Sequence, residues 1–324
     1  MVPGFNAIPG RVRPTQGLGR HPGPEMPHGP CRDTYTDPVM KPAFSTVACP
    51  DWIFSRLAQR AEQWGYVGAE LRTFGYGSRE LACEPALTSP AKLRGMLERA
   101  GVSICSLATG IRYDDPITPP IVGLYLDHEQ MIRETKACVD LAVQLEAPFV
   151  RVFGFEIVGS EPRKSALARI TDRLIKCADY CRNSGVRLVL ENGGSFCTAV
   201  DLSEILDRVD SPMLAASYSL PVAQAAGESI ENGVNVLGER LAIVKVKDLK
   251  NGKPVALGEG ELNARAAIEA AAKGGFDGWL VYEYDRAWLG ADGADVDGVL
   301  ARSAKTMFEW LGRRASVTRR PAKV

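Results

Sequence analysis

From Ala43 onward the chain alternates short apolar runs with helically spaced segments eight times, and few architectures accept that rhythm. A run of five or six branched or small apolar residues between turn signals reads as a strand covered on both faces, and such strands belong to parallel sheets. Ala43 to Ala48 is the first predicted strand, and Ile53, Leu57, Ala61 and Trp64 space the first helix over Ile53 to Trp64. Strands follow at Tyr66 to Arg72, Val102 to Ala108, Pro148 to Phe153, Val186 to Glu191, Met213 to Ser219, Leu241 to Asp248 and Gly278 to Asp285. Between them, helices are predicted at Pro90 to Ala100 (Ser89 as cap, Gly101 as stop), Glu129 to Gln144, Lys164 to Ser184 (Gly185 as stop) and Asp201 to Asp210. The segment Ala223 to Leu237 returns over the outside of the sheet, and helices at Ala264 to Lys273 and Asp295 to Gly312 complete the set. For the helix opening at Asp201, D-L-S-E reads as a capping box with Glu204 as the return partner. Eight β-α units in series predict an α/β fold, a closed (β/α)8 barrel with functional residues at the C-terminal ends of the strands. An open doubly wound sheet is the runner-up, but no G-x-G-x-x-G follows the first strand.

Charge is concentrated at those strand ends. The stretch Leu241 to Asp248 (L-A-I-V-K-V-K-D) is a core strand that runs into Lys245, Lys247 and Asp248, and the period of two puts both ammonium groups on one side. Lysines beside a core are costly unless carboxylates meet them. Glu191 closes the fifth strand, Glu283 lies in the eighth, and Glu70 with Arg72 ends the second. Arg151 lies on the fourth strand, so the arginines and lysines can hold hydroxyls or a phosphate at the barrel rim. Trp52 after strand one and Trp288 after strand eight are candidates for apolar walls against a sugar ring.

Outside this rhythm the chain offers little to pack. Residues 1–40, with P-G-R-V-R-P and H-P-G-P-E-M-P-H-G-P, have no apolar period and read as a poorly ordered arm; residues 41–314 form the barrel and 315–324 a basic tail. Lys plus Arg and Asp plus Glu both number 39, which gives no overall attraction to nucleic acid or an anionic membrane. No run reaches the roughly 18 apolar residues of a membrane span, and no signal-peptide core opens the chain, so a cytoplasmic protein is expected. The eight cysteines are scattered and read as reduced thiols, with Cys177 and Cys181 packing on one helix face.

Five motifs carry a family resemblance: V-L-E-N-G-G around Glu191, Q-A-A-G-E-S near Gly227, V-K-V-K-D at Asp248, L-G-E-G-E at Glu259 and V-Y-E-Y-D around Glu283. In this order, from Ala43 to Leu311, the chain resembles the sugar-phosphate isomerase/epimerase family of xylose isomerase-like TIM barrels. That resemblance implies a divalent metal (Mn, Mg or Zn) held by a Glu on strand five, an Asp on strand six, a His on strand seven and a Glu on strand eight. The outer two fall on Glu191 and Glu283, whereas Ser219 stands where Asp is expected, Val222 where a neighbouring His is expected, and Lys245 where the ligand His is expected. The chain has three histidines, His21, His28 and His128, none on a predicted strand end. A multi-histidine zinc endonuclease of the same superfamily is therefore excluded.

With two of four ligand positions changed, no metal or other cofactor is expected, and a protonated Lys245 between Glu191 and Glu283 replaces the ion electrostatically. The same carboxylates disfavour the neutral amine a Schiff base needs. The resemblance then implies an isomerase or epimerase acting on a small sugar, sugar phosphate or keto-acid. Glu191 and Glu283 serve as acid and base, Lys245 polarises the carbonyl, and Arg151, Lys247, Glu70, Arg72, Trp52, Trp288 and Ser219 surround the substrate. A noncatalytic carbohydrate-binding barrel and a dehydratase or lyase of the same superfamily are the alternatives, and a homo-oligomer is left open.

Overall fold

Apolar side chains at nearly every strand position leave no face for water, and the strands satisfy this by closing into a ring. The computed structural model describes residues 40–73, 89–115, 129–286 and 295–312. Its strands are β1 (Lys41–Ser45), β2 (Gly68–Arg72), β3 (Ser103–Arg112), β4 (Phe149–Phe153), β5 (Arg187–Glu191), β6 (Leu214–Ser219) and β7 (Leu241–Val246), then β8 (Asp248–Lys250), β9 (Lys253–Val255) and β10 (Trp279–Tyr282). All but β8 and β9 pair in parallel in the order β1-β10-β7-β6-β5-β4-β3-β2, and β1 pairs β2 to close the barrel. Around it stand α1 (Phe54–Trp64), α2 (Pro90–Arg99), α3 (Gln130–Leu145), α4 (Arg163–Tyr180), α5 (Ala199–Val209), α6 (Leu220–Ala225), α7 (Ile230–Leu237), α8 (Ala264–Lys273) and α9 (Val296–Trp310). Their apolar stripes meet the outward strand residues, as where Leu57, Leu174 and Leu300 pack with Phe44, Leu190 and Leu280 in one continuous core.

The inward face of the barrel explains where the charges go. Ala43, Cys105, Val189, Ala215, Ile243 and Val281 form a separate apolar cluster inside the ring, with Phe149 and Trp279 packed against it. Because side chains alternate along a strand, the next inward position lies two residues on, nearer the C-terminal end. From Val189 that step reaches Glu191, from Ile243 it reaches Lys245, from Val281 it reaches Glu283, from Phe149 it reaches Arg151 and from Ala215 it reaches Ser217. A charged layer thus sits directly on an apolar one. Gly68 on β2 makes room for the lower layer: a Cβ there would lie 2.4 Å from the Trp279 ring, and Glu70 is the next inward residue.

Several boundaries differ from the sequence expectation. The first strand stops at Ser45, and Thr46–Ala48 form a 3-10 turn rather than extending it. β3 runs four residues past Ala108, to Arg112, through a register shift at which the Thr109 hydroxyl donates to the Arg151 carbonyl. α4 ends at Tyr180 rather than Ser184, with Asn183 and Gly185 both at positive φ in the turn that follows. The capping box of α5 is built from Thr198 and Asp201, not from Asp201 and Glu204; Glu204 instead pairs with Arg163 and Arg208. The hairpin of β8 and β9, turned by Asn251 and Gly252 at φ 50° and 73°, was not expected. Met40, placed in the predicted arm, is buried in the core, while residues 1–39, the predicted tail and Trp288 lie outside the described residues.

Candidate functional site

The C-terminal mouth of the barrel is organised by one ammonium group. Lys245 is 1% exposed, and its Nζ lies 3.0 Å from Glu70 Oε1, 3.2 Å from Glu191 Oε2 and 2.6 Å from Glu283 Oε1. Of its three N–H bonds, one is donated to Glu70 and one to Glu283, while Glu191 is held as an ion pair. Ser106 donates to the other Glu70 oxygen, Oε2, and Ser217 donates to Glu191 Oε2, the same oxygen that faces Lys245, each at 3.0 Å. Arg151 bridges Glu191 and Glu283 from β4, with Nη1 3.2 Å from Glu191 Oε1 and 3.5 Å from Glu283 Oε1. Its Nε and Nη2 both donate to the Thr109 carbonyl, which fixes the plane of the guanidinium, and the ring of Phe153 lies 4.9 Å away.

Burial and charge oppose one another at Glu283, Lys245 and Lys247. Burial alone would raise Glu283, but Lys245, Lys247 and Arg151 outweigh it and hold the carboxyl well below its usual range. Burial and the nearby Arg151 would lower Lys245, yet Glu191, Glu283 and Glu70 raise it above an ordinary lysine. The amine is therefore a fixed cation at neutral pH. Lys247, 20% exposed, is also raised: burial opposes protonation, but Glu283 and Asp285 favour it more, and Asp285 accepts from it at 2.6 Å. Burial, with a contribution from Arg151, pushes Arg72 down to about 10.

Above the charged layer opens a cavity of about 330 Å³, lined by Arg72, Arg151, Glu191, Ser219, Lys247 and Glu283 among others. Six of the residues expected at a substrate site thus face one space, and three do not. Glu70 is fully buried and lines no part of the cavity, because Lys245 and Ser106 take up its carboxylate; it is a counter-ion rather than a substrate contact. Lys245 likewise lies behind the carboxylates rather than on the wall. Trp52 is 3% exposed and packs in the outer core against Trp64, with Arg56 over its ring, so it walls no ligand space. Trp288 is outside the described residues.

The apolar wall comes instead from Phe153 and Phe155, edge to face at 5.8 Å, with Val47 and Val222. Phe155 takes φ 67°, a conformation a bulky residue rarely adopts, and its carbonyl accepts from Ser195. Gly194 must be glycine to lie against it, since a Cβ would come within 2.5 Å of the Phe155 oxygen. Asn192, also on the lining, ties β5 to β6 by accepting from the Ser219 amide at 2.6 Å and donating to the Ser219 carbonyl at 3.1 Å. Asp248 is a loop organiser: its carboxylate accepts from the amides of Leu249, Gly258, Gly260 and Leu262, which shapes the L-G-E-G-E segment. Gly260 has no room for a Cβ, which would lie 2.1 Å from Asp248 Oδ1.

The donor set does not fit a divalent ion. A metal bound by Glu191 and Glu283 needs oxygens at about 2.0–2.2 Å, and the space between them is filled by the Lys245 ammonium at 2.6 and 3.2 Å. Among the described residues there is no histidine, and no group of three or more His, Cys, Asp or Glu side chains is arranged to hold an ion.

Comparison with known proteins agrees with this architecture. L-ribulose 3-epimerase superposes with a TM-score of 0.69 at 14% identity, covering 88% of this chain and all of that one. D-psicose 3-epimerase, in a structure determined with D-fructose, gives 0.67 at 12% identity over 84% of this chain and 99% of the other. In sequence, the fructoselysine 3-epimerase of Shigella flexneri is 22% identical over 234 residues, which span 69% of this chain and 82% of that enzyme. Residues 58–310 match the model of one family over most of the barrel, and on that match the chain belongs to the xylose isomerase-like TIM barrel proteins.

Proposed function

We propose that this protein is a sugar epimerase or isomerase that moves a proton on and off the carbon next to a carbonyl, and that it does so without the divalent metal the resemblance implies. The observation that carries the reading is the bridging of Glu191 and Glu283 by Lys245 and Arg151 at the floor of one cavity. Two carboxylates that close would otherwise repel and force one another neutral; two fixed cations let them share a site. Proton transfer to the opposite face of a planar intermediate needs two such groups and one proton between them. The ionised Glu283 removes the proton from carbon, and Glu191, in the enzyme form that has taken up one proton from solvent, returns one from its own side. The epimerase relatives support a small ketose as substrate, and the Phe153 and Phe155 wall with the polar groups opposite suits a sugar's apolar and hydroxylated faces.

Lys245 acts here through its field. Its ammonium is buried, donates to Glu70 and Glu283 and lines no part of the cavity, so in this reading charge compensation of the two glutamates takes the place of the direct polarising contact expected from the sequence.

Solvent-deuterium incorporation tests the reading. The full chain is incubated in D2O with D-fructose, D-psicose, L-ribulose or fructoselysine, and the sugar carbon protons are followed by NMR. Loss of one proton signal beside the carbonyl, with the epimer or isomer as product, supports it. An unsaturated product would move the protein to the dehydratase class. Binding of these sugars without exchange would make the cluster a structural network in a carbohydrate-binding barrel.

A further inference from the structure

The cavity wall holds a cation with bonds to spare. Lys245 is buried behind the carboxylates and off the wall, and Arg151 commits Nε and Nη2 to the Thr109 carbonyl and Nη1 to the two glutamates. Arg72 is tied to the neighbouring strands, donating its Nη1 to the Ala108 carbonyl and its backbone amide to Thr46. Lys247 differs. Its ammonium lines the cavity and has one hydrogen-bond partner among the described residues, Asp285 at 2.6 Å. Two of its three N–H bonds remain for a ligand.

Its position relative to the proton-transfer groups is specific. Nζ lies 3.9 Å from Glu283 Oε2, too far for a hydrogen bond and close enough for one ligand to touch both. A ketone oxygen on Lys247 then sets the adjacent carbon toward Glu283. Glu283 is a weak base because its neighbours hold it ionised, so removing a carbon-bound proton requires strong stabilisation of the anion that forms.

Resting on the proton-transfer reading above, we propose that Lys247 is a catalytic residue that holds the substrate's carbonyl oxygen and stabilises it as an enolate, with Asp285 aiming the ammonium. The departing proton forms an O–H bond with the carboxylate, the C–H electron pair becomes a C=C bond, and the carbonyl π pair moves to the oxygen beside Lys247. Return of a proton to carbon reverses the electron flow, so no oxidant, reductant or further reactant is needed.

The test compares the unmutated protein with Lys247→Met and Lys247→Arg, using D-fructose and D-psicose for exchange in D2O and D-mannitol, which lacks a carbonyl, for binding. Lys247→Met is expected to lower the exchange rate by about 100-fold or more at saturating ketose. Its D-mannitol affinity and melting temperature should stay close to those of the unmutated protein. Lys247→Arg, which keeps a cation, should recover part of the rate and serves also if the Met variant folds poorly. Exchange by Lys247→Met at the unmutated rate, or a loss matched by an equal loss of D-mannitol binding, overturns the catalytic role while leaving proton transfer standing. Absence of exchange in the unmutated protein overturns both.

Discussion

Replacing Lys245 with methionine removes the charge and keeps most of the volume, which isolates the electrostatic contribution of the ammonium. Glu70, Glu191 and Glu283 against Lys245 and Arg151 sum to minus one (three negative, two positive), and the variant stands at minus two. Uptake of one proton restores the original sum. For a glutamate with an ordinary value of about 4.3, neutralisation at pH 7 costs about 3.7 kcal/mol, from 2.7 units at 1.36 kcal/mol each. That figure agrees with the roughly 3–5 kcal/mol lost when one partner of a buried ion pair is removed. At pH 5 the same step costs only about 1 kcal/mol. In the variant the folded state holds the extra proton, so its stability falls as pH rises. The parent behaves differently: Glu283 is depressed, so its contribution is complete above the ordinary glutamate range and is lost only as pH falls through its lower folded value. Lys245 is raised, so its contribution is complete below the ordinary lysine range and is lost only as pH rises through its higher folded value. Urea unfolding at pH 5, 6 and 7 should therefore show a deficit near 1 kcal/mol growing to about 4 kcal/mol. The double variant Glu70→Gln/Lys245→Met, back at minus one, should recover most of it. A deficit below about 1 kcal/mol at pH 7, or one independent of pH, would refute the reasoning.

Glu191→Gln and Glu283→Gln should each abolish epimer formation while retaining ketose binding by calorimetry, since an amide hydrogen-bonds a hydroxyl but takes no proton at neutral pH. Asp248→Ala strips four amides of their acceptor and should cost at least about 3 kcal/mol in urea unfolding, with Glu191 and Glu283 chemically intact.

The alternation that dictates the barrel is local, because each strand and helix writes its own period, and the inward step from Val189 to Glu191 or Ile243 to Lys245 follows from that period. What a single strand cannot show is which distant group its charge meets. Glu70 is 175 residues from Lys245, and only closure of the ring makes it a third counter-ion instead of a rim residue. The aromatic wall escaped for a similar reason: tryptophans in loops drew attention, while Phe155 owes its place to a left-handed turn that Gly194 accommodates. Other misses had a readable signal. Asn251-Gly252 between Lys250 and Lys253 is a hairpin turn in plain sequence, and T-A-V-D at Thr198 satisfies the capping-box pattern as well as D-L-S-E does.

Deuterium exchange into a ketose substrate, measured before and after dialysis of the protein against EDTA with metal content determined on the same samples, tests most directly whether a fixed ammonium organises the two glutamates. The predicted result is an unchanged exchange rate with less than stoichiometric manganese, magnesium or zinc throughout. An exchange rate lost on chelation and restored by adding one of those ions would contradict it.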